Sequence, residues 1–349
     1  MLRVAINGYG RIGRMAHRII MQWHSDEMEV VVINAGSSTD LKGWMYLLKY
    51  DTVYGPIDAE MSVNPNSDES KKDFLGTLTI AGKPIAVYSQ KDPSLLPWKD
   101  LNIDVVIEST GHFTTTEKMQ THITAGAKTV VLSAPAKDDT PTFVIGVNDD
   151  KYQGEKIVNN ASCTTNCIAP VAKIIQEHFG IQKAMMTTIH SFTSDQRLQD
   201  GGHKDYRRAR AAGENIIPTS TGATIAAAKA VPELENKFAG LSIRVPVPVG
   251  SLADFTFLLS KQTTVEEVNN VLEQEVQNSA YQGILAVTHD PVVSSDIIGN
   301  SHSSIVDLSL TQVVGGDMVK VIAWYDNEYG YANRLVEMCA LVGKAAQNA

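Results

Sequence analysis

The chain has 349 residues, of which 43% are hydrophobic and 20% are charged, and this composition is ordinary for a folded globular protein and too apolar for a disordered one. At roughly 100–200 residues per domain, the length predicts two domains. The net charge of −9 argues against nucleic acid or an anionic lipid surface as the main binding partner.

No stretch of the sequence approaches the roughly 20 consecutive apolar residues of a membrane-spanning helix, and residues 1–10 lead into a strand and a glycine turn rather than a signal peptide. We therefore expect a cytoplasmic protein without a membrane anchor. The three cysteines, Cys163, Cys167 and Cys339, include no CxxC pair, so neither a zinc site nor a disulfide framework is expected. We expect no metal, and a cysteine with a function is expected to be reactive.

The first 160 residues predict a parallel sheet covered by helices on both faces. Val- and Ile-rich runs alternate there with stretches long enough for crossover connections. The runs predicted as strands are residues 4–8, 30–34, 104–110, 128–135, 142–148 and 156–160. Residues 1–160 are thus expected to form a doubly wound α/β domain, with a surface loop at the polar residues 64–73.

Residues 161–330 have a different pattern, which predicts an α+β domain with a mixed or antiparallel sheet. Its strands are longer, and its turn and cap signals are explicit. In chain order, the predicted features are strands within residues 183–192 and 243–259, a helix opened by the capping box Thr264-x-x-Glu267, a hairpin at Gly315-Gly316, and a last helix at about residues 331–349.

A glycine-rich turn lies between the first predicted strand and the helix that follows it. Gly8, Gly10 and Gly13 fit the pattern GxGxxG in that context. Gly8 allows the tight turn, Gly10 lets the backbone approach a pyrophosphate, and Gly13 lets the helix and the strand pack closely. The motif therefore predicts a dinucleotide cofactor bound at the start of this helix.

The second predicted strand lacks the acidic residue that such a site normally carries. An Asp or Glu at its end would bind the ribose hydroxyls of the adenosine and repel a 2′-phosphate. The strand ends instead at Asn34, followed by Ala35, Gly36, Ser37 and Ser38. Small and hydroxylated residues in place of a carboxylate favour NADP, or the use of both NADP and NAD. The alternative is that NAD binds through Asn34 and the backbone alone.

Cys163 stands at the predicted junction of a strand and a helix, with Ser162 as a candidate N-cap. Backbone amides at the start of a helix favour anions and lower the pKa of a thiol there, so Cys163 is predicted to be a nucleophile. Cys167, one turn later, is predicted to be a small buried side chain. His190 follows a predicted strand and begins a polar segment, which makes it the candidate base for Cys163.

Six motifs occur in order along essentially the whole chain. They are SCTTNC (162–167), IHSFTSDQR (189–197), HKDYRRARAA (203–212), IIPTSTGA (216–223), IRVPVP (243–248) and WYDNEYGYANR (324–334). Together they resemble the phosphorylating glyceraldehyde-3-phosphate dehydrogenases. The resemblance implies a Rossmann domain, a catalytic domain, a last helix packed back on the cofactor domain, and a homotetramer. It also implies oxidation of glyceraldehyde 3-phosphate to 1,3-bisphosphoglycerate with inorganic phosphate and NAD or NADP, in glycolysis or gluconeogenesis.

The resemblance assigns roles around Cys163, which attacks the aldehyde, and His190, which takes the proton. It assigns Thr193 and Arg244 to the phosphate of the substrate. The residues that it implies for inorganic phosphate are Ser162, Thr164, Arg208, Thr221 and Gly222. Phosphate recognition explains the four cations within residues 204–210, for which nucleic-acid binding as a side activity is the competing explanation.

For the cofactor, the resemblance implies contacts along its whole length. They come from Arg11 and Ile12 at the pyrophosphate, Lys91 and Ser133 along the adenine and ribose, and Asn327 and Tyr331 at the nicotinamide. Ala35 and the pair Gly201-Gly202 depart from the NAD-specific pattern, and both departures remove charge or bulk near the 2′ position. They agree with the use of NADP.

Two alternatives stay open from the sequence. An erythrose-4-phosphate dehydrogenase shares the fold, Cys163 and His190, but Thr193 and residues 221–223 resemble the triose-phosphate and inorganic-phosphate sites. A catalytically dead nucleotide-binding scaffold or RNA binder belongs to another class of function. The intact Cys163 and His190 and the net charge of −9 argue against it.

Overall fold

A computed structural model describes residues 1–348, and the chain divides into two compact units. The first unit contains Met1–Thr142, Tyr152–Asn160 and the chain from Ala332 onward. The second unit contains Phe143–Lys151 and Ala161–Tyr331. The nine residues from 143 to 151 therefore group with the second unit, although they lie inside the segment predicted to form the first domain.

Within residues 1–348, the first unit is built on one sheet of eight strands. Its strands β1 to β8 are Leu2–Asn7, Met28–Asn34, Met61–Pro65, Phe74–Ile80, Lys83–Tyr88, Val105–Glu108, Thr129–Leu132 and Ile157–Asn159. Its helices α1 to α3 are Arg11–Trp23, Leu41–Lys49 and Thr116–Thr124. The spatial order is β3-β4-β5-β2-β1-β6-β7-β8, and every neighbouring pair from β5 to β8 is parallel. This topology confirms the predicted doubly wound sheet.

Residues 142–148 are not a strand, and the prediction was wrong there. Thr142 makes an isolated bridge to β8, and the chain then turns, with Gly146 at φ +78°. Val144 and Val147 are buried in the core of the second unit. Their apolar character therefore reflects packing in that core rather than a place in the first sheet.

The sequence patterns did not predict the hairpin of β4 and β5 or the edge strand β3. Burial alternates from Gly76 to Ile80 along β4, as expected for a half-buried strand. The turn to β5, however, is Ala81-Gly82, with φ values of +46° and +78°, and not the Asn-Gly or Asp-Gly pair that signals such a turn. β3 ends at Pro65, inside the segment that was predicted as a loop.

The second unit has its own sheet of eight strands, counted over the described residues. Its strands β9 to β16 are Ile181–Ser191, Ile217–Thr219, Phe238–Val245, Ser251–Leu259, Leu285–Thr288, Ser304–Asp307, Gln312–Val314 and Met318–Tyr325. Its helices α4 to α6 are Cys163–Phe179, Ala223–Ala230 and Val265–Glu275. The order is β10-β11-β9-β12-β16-β14-β13, with β15 on β16, and β9–β11 and β13–β14 are the parallel pairs. The predicted mixed sheet is confirmed.

α4 packs against β9, β12, β14 and β16. Ile168, Val171 and Ile175 of α4 are fully buried in one core with Phe255 and Phe257 of β12. Burial of each side chain of this size contributes about 1.5–3 kcal/mol. The core therefore fixes the first turn of α4 relative to the strands beneath it.

Three local predictions in the second half of the chain are confirmed. Gly315 and Gly316 form the β15–β16 turn, with φ values of +62° and +82°. Thr264 caps α6 and accepts a hydrogen bond from the Glu267 amide at 3.2 Å, which is one half of the predicted capping box, and the Glu267 carboxylate accepts from the Thr263 hydroxyl at 2.9 Å. The last helix, α7, spans Tyr329–Asn348.

The described part of the chain contains neither a membrane-spanning helix nor a cluster of metal ligands. None of its helices combines the length and the apolar character needed to cross a membrane. Residues 1–348 also bring together no group of three or more His, Cys, Asp or Glu side chains that could hold a metal ion. The three cysteines are free thiols.

Candidate active site

The first turn of α4 presents Cys163 at its start. Ser162 is the N-cap, and its Oγ accepts a hydrogen bond from the Thr165 amide at 3.1 Å, as predicted. Ala161 before it has φ +54°, a left-handed conformation that an L-residue adopts at a cost. The Tyr331 hydroxyl donates to the Ala161 carbonyl at 3.1 Å. This tight turn leaves Cys163 half-buried at the helix start, whereas Cys167 is fully buried.

His190 lies near the end of β9 and faces the thiol. Its Nε2 is 3.4 Å from Sγ of Cys163, and its Nδ1 is 2.7 Å from the carbonyl oxygen of Ser191. Because a carbonyl only accepts, Nδ1 carries the proton in this arrangement. Nε2 is therefore the unprotonated nitrogen, and the thiol donates to it. This is the geometry of a nucleophile with its general base.

The surroundings shift the pKa of each member of this pair. Burial raises the pKa of Cys163, although the charge of Arg244 opposes this effect. Burial, together with the charge of Arg244, lowers the pKa of His190 to about 3. The predicted lowering of the thiol pKa at the helix start is therefore outweighed by desolvation. Burial thus favours the neutral form of each group.

Arg244 on β11 is paired in register with His190 on β9. Its Nη1 lies 3.1 Å from the Ser191 carbonyl oxygen and 3.4 Å from Oγ1 of Thr193, and it donates to both. Arg244 forms no ion pair with a carboxylate among the described residues, and its Nε is buried without a hydrogen-bond partner there. A half-buried guanidinium without a counter-ion is a ready site for an anion. The structure thus brings together Cys163, His190, Thr193 and Arg244.

Arg208, unlike Arg244, is paired with carboxylates. Its Nη1 lies 2.5 Å from Asp195, its Nε lies 3.4 Å from Asp205, and Nε also donates to Oγ1 of Thr219 at 2.9 Å. Asp195 in addition accepts a hydrogen bond from the Thr193 hydroxyl. The charge of Arg208 is therefore already compensated. The sequence patterns did not single out Asp195, whose only signal was its place in the polar segment after His190.

The remaining residues predicted to bind phosphate lie at two adjacent helix starts. Thr165 in the first turn of α4 donates to the carbonyl of Ala223 at the start of α5, at 3.4 Å. Gly222 caps α5, and Oγ1 of Thr221 accepts from the Ala223 amide at 3.2 Å. Helix starts attract anions through free amides and the helix dipole. Ser162, Thr221 and Gly222 thus lie at one end of the α4–α5 pair.

Thr164 is buried, and its hydroxyl is bonded inside the protein. Its Oγ1 is 2.9 Å from the Tyr325 hydroxyl, which is also 2.8 Å from Oγ1 of Thr188. The Tyr325 ring meets the His190 ring edge-on, with 5.9 Å between their centroids. Tyr325 was not predicted as a site residue, although it belongs to the WYDNEYGYANR motif. The Tyr325 ring packs against the imidazole of His190 and restricts its orientation.

The orientation of the Asn327 side chain is fixed by three donors. Its Oδ1 accepts from the hydroxyls of Ser191 and Ser251, both at 2.9 Å, and from the Gly250 amide at 3.2 Å. Three donors that converge on one atom identify it as the amide oxygen. Nδ2 and its two hydrogens consequently point away from these three donors.

At the carboxyl edge of the first sheet, the glycine turn has the space that a pyrophosphate needs. A Cβ on Gly8 would lie 2.7 Å from the backbone of Ser109 and Thr110, and one on Gly13 would lie 2.2 Å from the Gly8 carbonyl. A Cβ on Gly10 would meet nothing within 4 Å. Two of the glycines are therefore needed for packing, and the third leaves open space at the start of α1. This arrangement fits a dinucleotide.

The other residues predicted to contact the cofactor in the first unit differ in availability. Arg11 pairs with Asp51 at 2.8 Å through its side chain, so the backbone amides of Arg11 and Ile12 at the start of α1 are the groups suited to a pyrophosphate. Lys91 is exposed and Ser133 is half-buried. Within residues 1–348, neither side chain forms a hydrogen bond or an ion pair with the glycine turn.

Asn34 is fully engaged within the first unit. Its Oδ1 accepts from the Gln90 amide at 2.9 Å, and its Nδ2 donates to the Gln90 carbonyl at 2.8 Å and to Oδ1 of Asn7 at 2.7 Å. Both amide hydrogens are used, so Asn34 has none left for a ribose. Beyond it, Ser37 is exposed, and Ser38 accepts a hydrogen bond from Nε1 of Trp44 at 2.9 Å. Trp44 had no signal in the sequence patterns.

Comparison with known proteins adds the following matches. Residues 162–327 match the glyceraldehyde 3-phosphate dehydrogenase C-terminal domain, and residues 2–116 match the glyceraldehyde 3-phosphate dehydrogenase NAD binding domain. The chain is 47% identical to glyceraldehyde-3-phosphate dehydrogenase 2 of Streptomyces avermitilis over 344 residues, which is 98% of each chain. It is 47% identical to the Geobacillus stearothermophilus glyceraldehyde-3-phosphate dehydrogenase over 343 residues, and 46% identical to glyceraldehyde-3-phosphate dehydrogenase 1 of Bacillus subtilis over 345, again 98% of each chain.

Proposed function

Because this chain belongs to the glyceraldehyde-3-phosphate dehydrogenase family, we propose that it oxidises glyceraldehyde 3-phosphate to 1,3-bisphosphoglycerate with inorganic phosphate and NAD or NADP. One observation carries the proposal. Cys163 and His190 form a nucleophile–base pair at 3.4 Å, and Arg244 beside them forms no direct ion pair among the described residues, although the charge of Asp195 acts on it. A thiol, a base and an uncompensated cation are what a phosphorylated aldehyde requires.

In the first step, the Cys163 proton passes to Nε2 of His190, and the sulfur attacks the aldehyde carbon. The developing oxyanion accepts hydrogen bonds from the Cys163 amide and from the protonated His190. His190 gives its proton to this oxyanion, which becomes the hydroxyl of the hemithioacetal, and takes the proton back as the hemithioacetal collapses to a thioester. When bound, NAD(P) supplies the acceptor for the hydride that leaves this carbon. Inorganic phosphate attacks the thioester, and the acyl phosphate leaves with Cys163 restored as a thiol.

The two phosphate groups use different parts of the second unit. Arg244 and Thr193 hold the phosphate of the substrate, since Arg244 already donates toward Oγ1 of Thr193. Inorganic phosphate binds at the starts of α4 and α5, through groups of Ser162, Arg208, Thr221 and Gly222 and through the backbone amide of Thr164, whose hydroxyl is bonded to Tyr325. Arg208 reaches this phosphate by exchanging one of its two carboxylate partners for it.

In the first unit, backbone groups of the glycine turn hold the pyrophosphate of the cofactor. The family resemblance assigns Asn327 of the second unit to the nicotinamide, with Nδ2 as the donor. The chain uses NADP, or both NADP and NAD. This preference is supported by Ala35, which leaves the end of β2 without a carboxylate, and by Asn34, whose amide is consumed internally. A 2′-phosphate meets no negative charge from those two side chains. Gly201 and Gly202 remove bulk near the 2′ position of the adenosine ribose, which also favours NADP.

We extend the proposal to the assembly and the role of the protein. A homotetramer in the cytoplasm, acting in glycolysis or gluconeogenesis, is what the family leads us to expect. Exposed apolar side chains in the second unit support association between copies. They include Leu198, Tyr206, Ile216 and Ile225, which are 84%, 86%, 70% and 67% exposed.

The test is the steady-state kcat/KM for glyceraldehyde 3-phosphate with inorganic phosphate, measured in parallel with NAD and NADP on the full chain. We expect turnover with both cofactors and a preference for NADP. Erythrose 4-phosphate is the matched competitor substrate. A higher kcat/KM for erythrose 4-phosphate would overturn the substrate assignment, and absence of turnover with either aldehyde would leave a scaffold as the function.

A further inference from the structure

A pocket lies at the amino edge of the first sheet, between α1, the start of β2 and the turn that joins β4 to β5. Its volume is about 250 Å³, which exceeds the roughly 150 Å³ of an apolar cavity that can hold benzene. The cofactor site proposed above lies at the opposite, carboxyl edge of the same sheet, so this pocket is a separate feature. Its wall is mainly apolar and includes the buried side chains of Ile20, Met28, Val30, Ile80 and Ile85.

His17 on α1 places one polar group in this apolar wall. The residue lines the pocket and is 2% exposed, and its Nδ1 is hydrogen-bonded to the Tyr9 hydroxyl at 2.6 Å. Nε2 has no hydrogen-bond partner within residues 1–348. Because burial lowers the pKa of His17 to about 3, the ring is neutral at pH 7, and Nε2 is a donor or an acceptor according to the tautomer. A ligand hydroxyl can take either role and so fits this nitrogen.

Lys83, the first residue of β5, places a positive charge at the rim of the pocket. Its side chain is exposed and forms no ion pair with a carboxylate in the described part of the chain. Glu29, the acidic residue of the rim, is already paired with Arg3 at 3.0 Å. The charge of Lys83 is therefore available to a ligand, and it favours a carboxylate.

We infer that this pocket binds a small aromatic acid that carries a hydroxyl group, and that the bound acid strengthens cofactor binding. The aromatic ring lies against the apolar wall, where Met21 and Met28 supply sulfur atoms suited to a ring edge. The hydroxyl group pairs with Nε2 of His17, and the carboxylate pairs with Nζ of Lys83. A hydroxyl at one end of the ligand and a carboxylate at the other thus match the buried nitrogen and the cation at the rim.

Tyr9 connects the pocket to the glycine turn. It stands between Gly8 and Gly10, is 2% exposed, and meets the Trp44 ring edge-on with 5.9 Å between the ring centroids. A ligand bonded to Nε2 fixes the tautomer of His17 and strengthens its bond to the Tyr9 hydroxyl, since hydrogen bonds in a chain polarise one another. The glycine turn is then restrained in one conformation. The acid and the cofactor should therefore raise each other's affinity by the same factor.

The test titrates the full chain with 3-(4-hydroxyphenyl)propionate by calorimetry, in the absence and in the presence of saturating NAD. The matched ligands are 3-phenylpropionate, which lacks the hydroxyl, and 4-ethylphenol, which lacks the carboxylate. We expect 3-phenylpropionate to bind about tenfold more weakly than the hydroxy acid, and NAD to lower the Kd of the hydroxy acid about threefold. A Kd of the hydroxy acid above about 10 mM overturns the inference, and an equal Kd with and without NAD overturns the coupling to the cofactor.

Two variants locate the acid in this pocket. Lys83→Gln should weaken binding of the hydroxy acid about threefold and leave 4-ethylphenol unaffected, whereas Lys72→Gln, at an exposed lysine outside the pocket, should behave like the wild type. Unchanged binding in Lys83→Gln would place the acid elsewhere and overturn the inference.

His17→Phe keeps a ring in the wall and removes Nε2. In this variant the hydroxy acid and 3-phenylpropionate should bind equally, and NAD should no longer lower the Kd of the acid. Lys83→Gln, at the surface, carries the test where His17→Phe does not fold. All readouts are binding constants, so they are independent of the reaction proposed above, which turnover of glyceraldehyde 3-phosphate tests separately.

Discussion

The hydroxyl of Ser251 donates a hydrogen bond of 2.9 Å to Oδ1 of Asn327. The same oxygen of Ser251 accepts a bond from the Ser191 amide at 3.1 Å, and Ser191 in turn holds His190 through its carbonyl. One serine on β12 is therefore connected both to the amide proposed to bind the nicotinamide and to the strand end that carries the base. Both groups depend on a short buried network, which a single substitution can test.

Ser251→Ala should raise the KM for the cofactor about fivefold, equivalent to about 1 kcal/mol, because Asn327 loses one of three donors and the buried Ser191 amide loses its acceptor. The KM for glyceraldehyde 3-phosphate should change much less. Ser303→Ala is the matched control, since the buried Ser303 hydroxyl has no hydrogen-bond partner among the described residues. Equal cofactor KM values for the two variants would show that Ser251 does not position Asn327.

Cys163→Ser should reduce turnover to background while cofactor binding is retained, because a serine hydroxyl in this position lacks the nucleophilicity of a thiolate. The measurement is the initial rate together with the Kd of the cofactor. Cys167→Ala is the control, because Cys167 is fully buried and bonded to Ser304 at 3.6 Å, and it should keep most of the activity. Turnover by Cys163→Ser at a rate near that of the wild type would rule out the covalent mechanism.

Gly10→Ala and Gly13→Ala separate cofactor approach from packing. An added Cβ meets nothing within 4 Å at Gly10 but lies 2.2 Å from the Gly8 carbonyl at Gly13. Gly10→Ala should therefore keep the wild-type Tm and weaken cofactor binding, since the methyl group occupies the space of the pyrophosphate. Gly13→Ala should lower the Tm, with a loss of about 1–3 kcal/mol in stability. A lowered Tm in Gly10→Ala with unchanged cofactor Kd would contradict this division.

Ala35→Asp should lower the ratio of kcat/KM for NADP to that for NAD about tenfold, because a carboxylate at the end of β2 repels the 2′-phosphate and offers an acceptor to the ribose hydroxyls. Ala35→Asn has the same shape without the charge and is the matched control. If both variants changed the ratio equally, size rather than charge would set the preference. An unchanged ratio in Ala35→Asp would place the discrimination elsewhere in the chain.

Local signals in the sequence predicted the elements that carry the site, and long-range contacts account for what they missed. Ser162 as a cap and Cys163 at the helix start follow from neighbouring residues. The contact of Arg244 with His190 joins residues 54 positions apart through the β9–β11 pairing, and no local pattern reports such a pairing. The prediction that the helix start lowers the pKa of Cys163 was wrong for the same reason, because burial of the thiol depends on the whole core of the second unit.

The stability of the protein should fall in acid partly because of His17. This side chain is buried, and its Nδ1 is hydrogen-bonded to the Tyr9 hydroxyl at 2.6 Å. Burial lowers the pKa of His17 to about 3 from its ordinary value of 6.5. Between these values the unfolded chain binds a proton that the folded chain does not. His17 therefore does not reduce the free energy of unfolding above pH 6.5, and the free energy of unfolding decreases as the pH falls from 6.5 toward 3.

The slope of the free energy of unfolding against pH in this window tests the argument. His17→Gln removes the titrating group and keeps an acceptor for Tyr9, so its slope should be smaller than that of the wild type by up to about 1.4 kcal/mol per pH unit. Urea unfolding at several pH values between 6.5 and 3 gives both slopes. His289→Gln replaces an exposed histidine paired with Glu273 and serves as the control. Identical slopes for wild type and His17→Gln would mean that burial of His17 does not contribute to acid sensitivity.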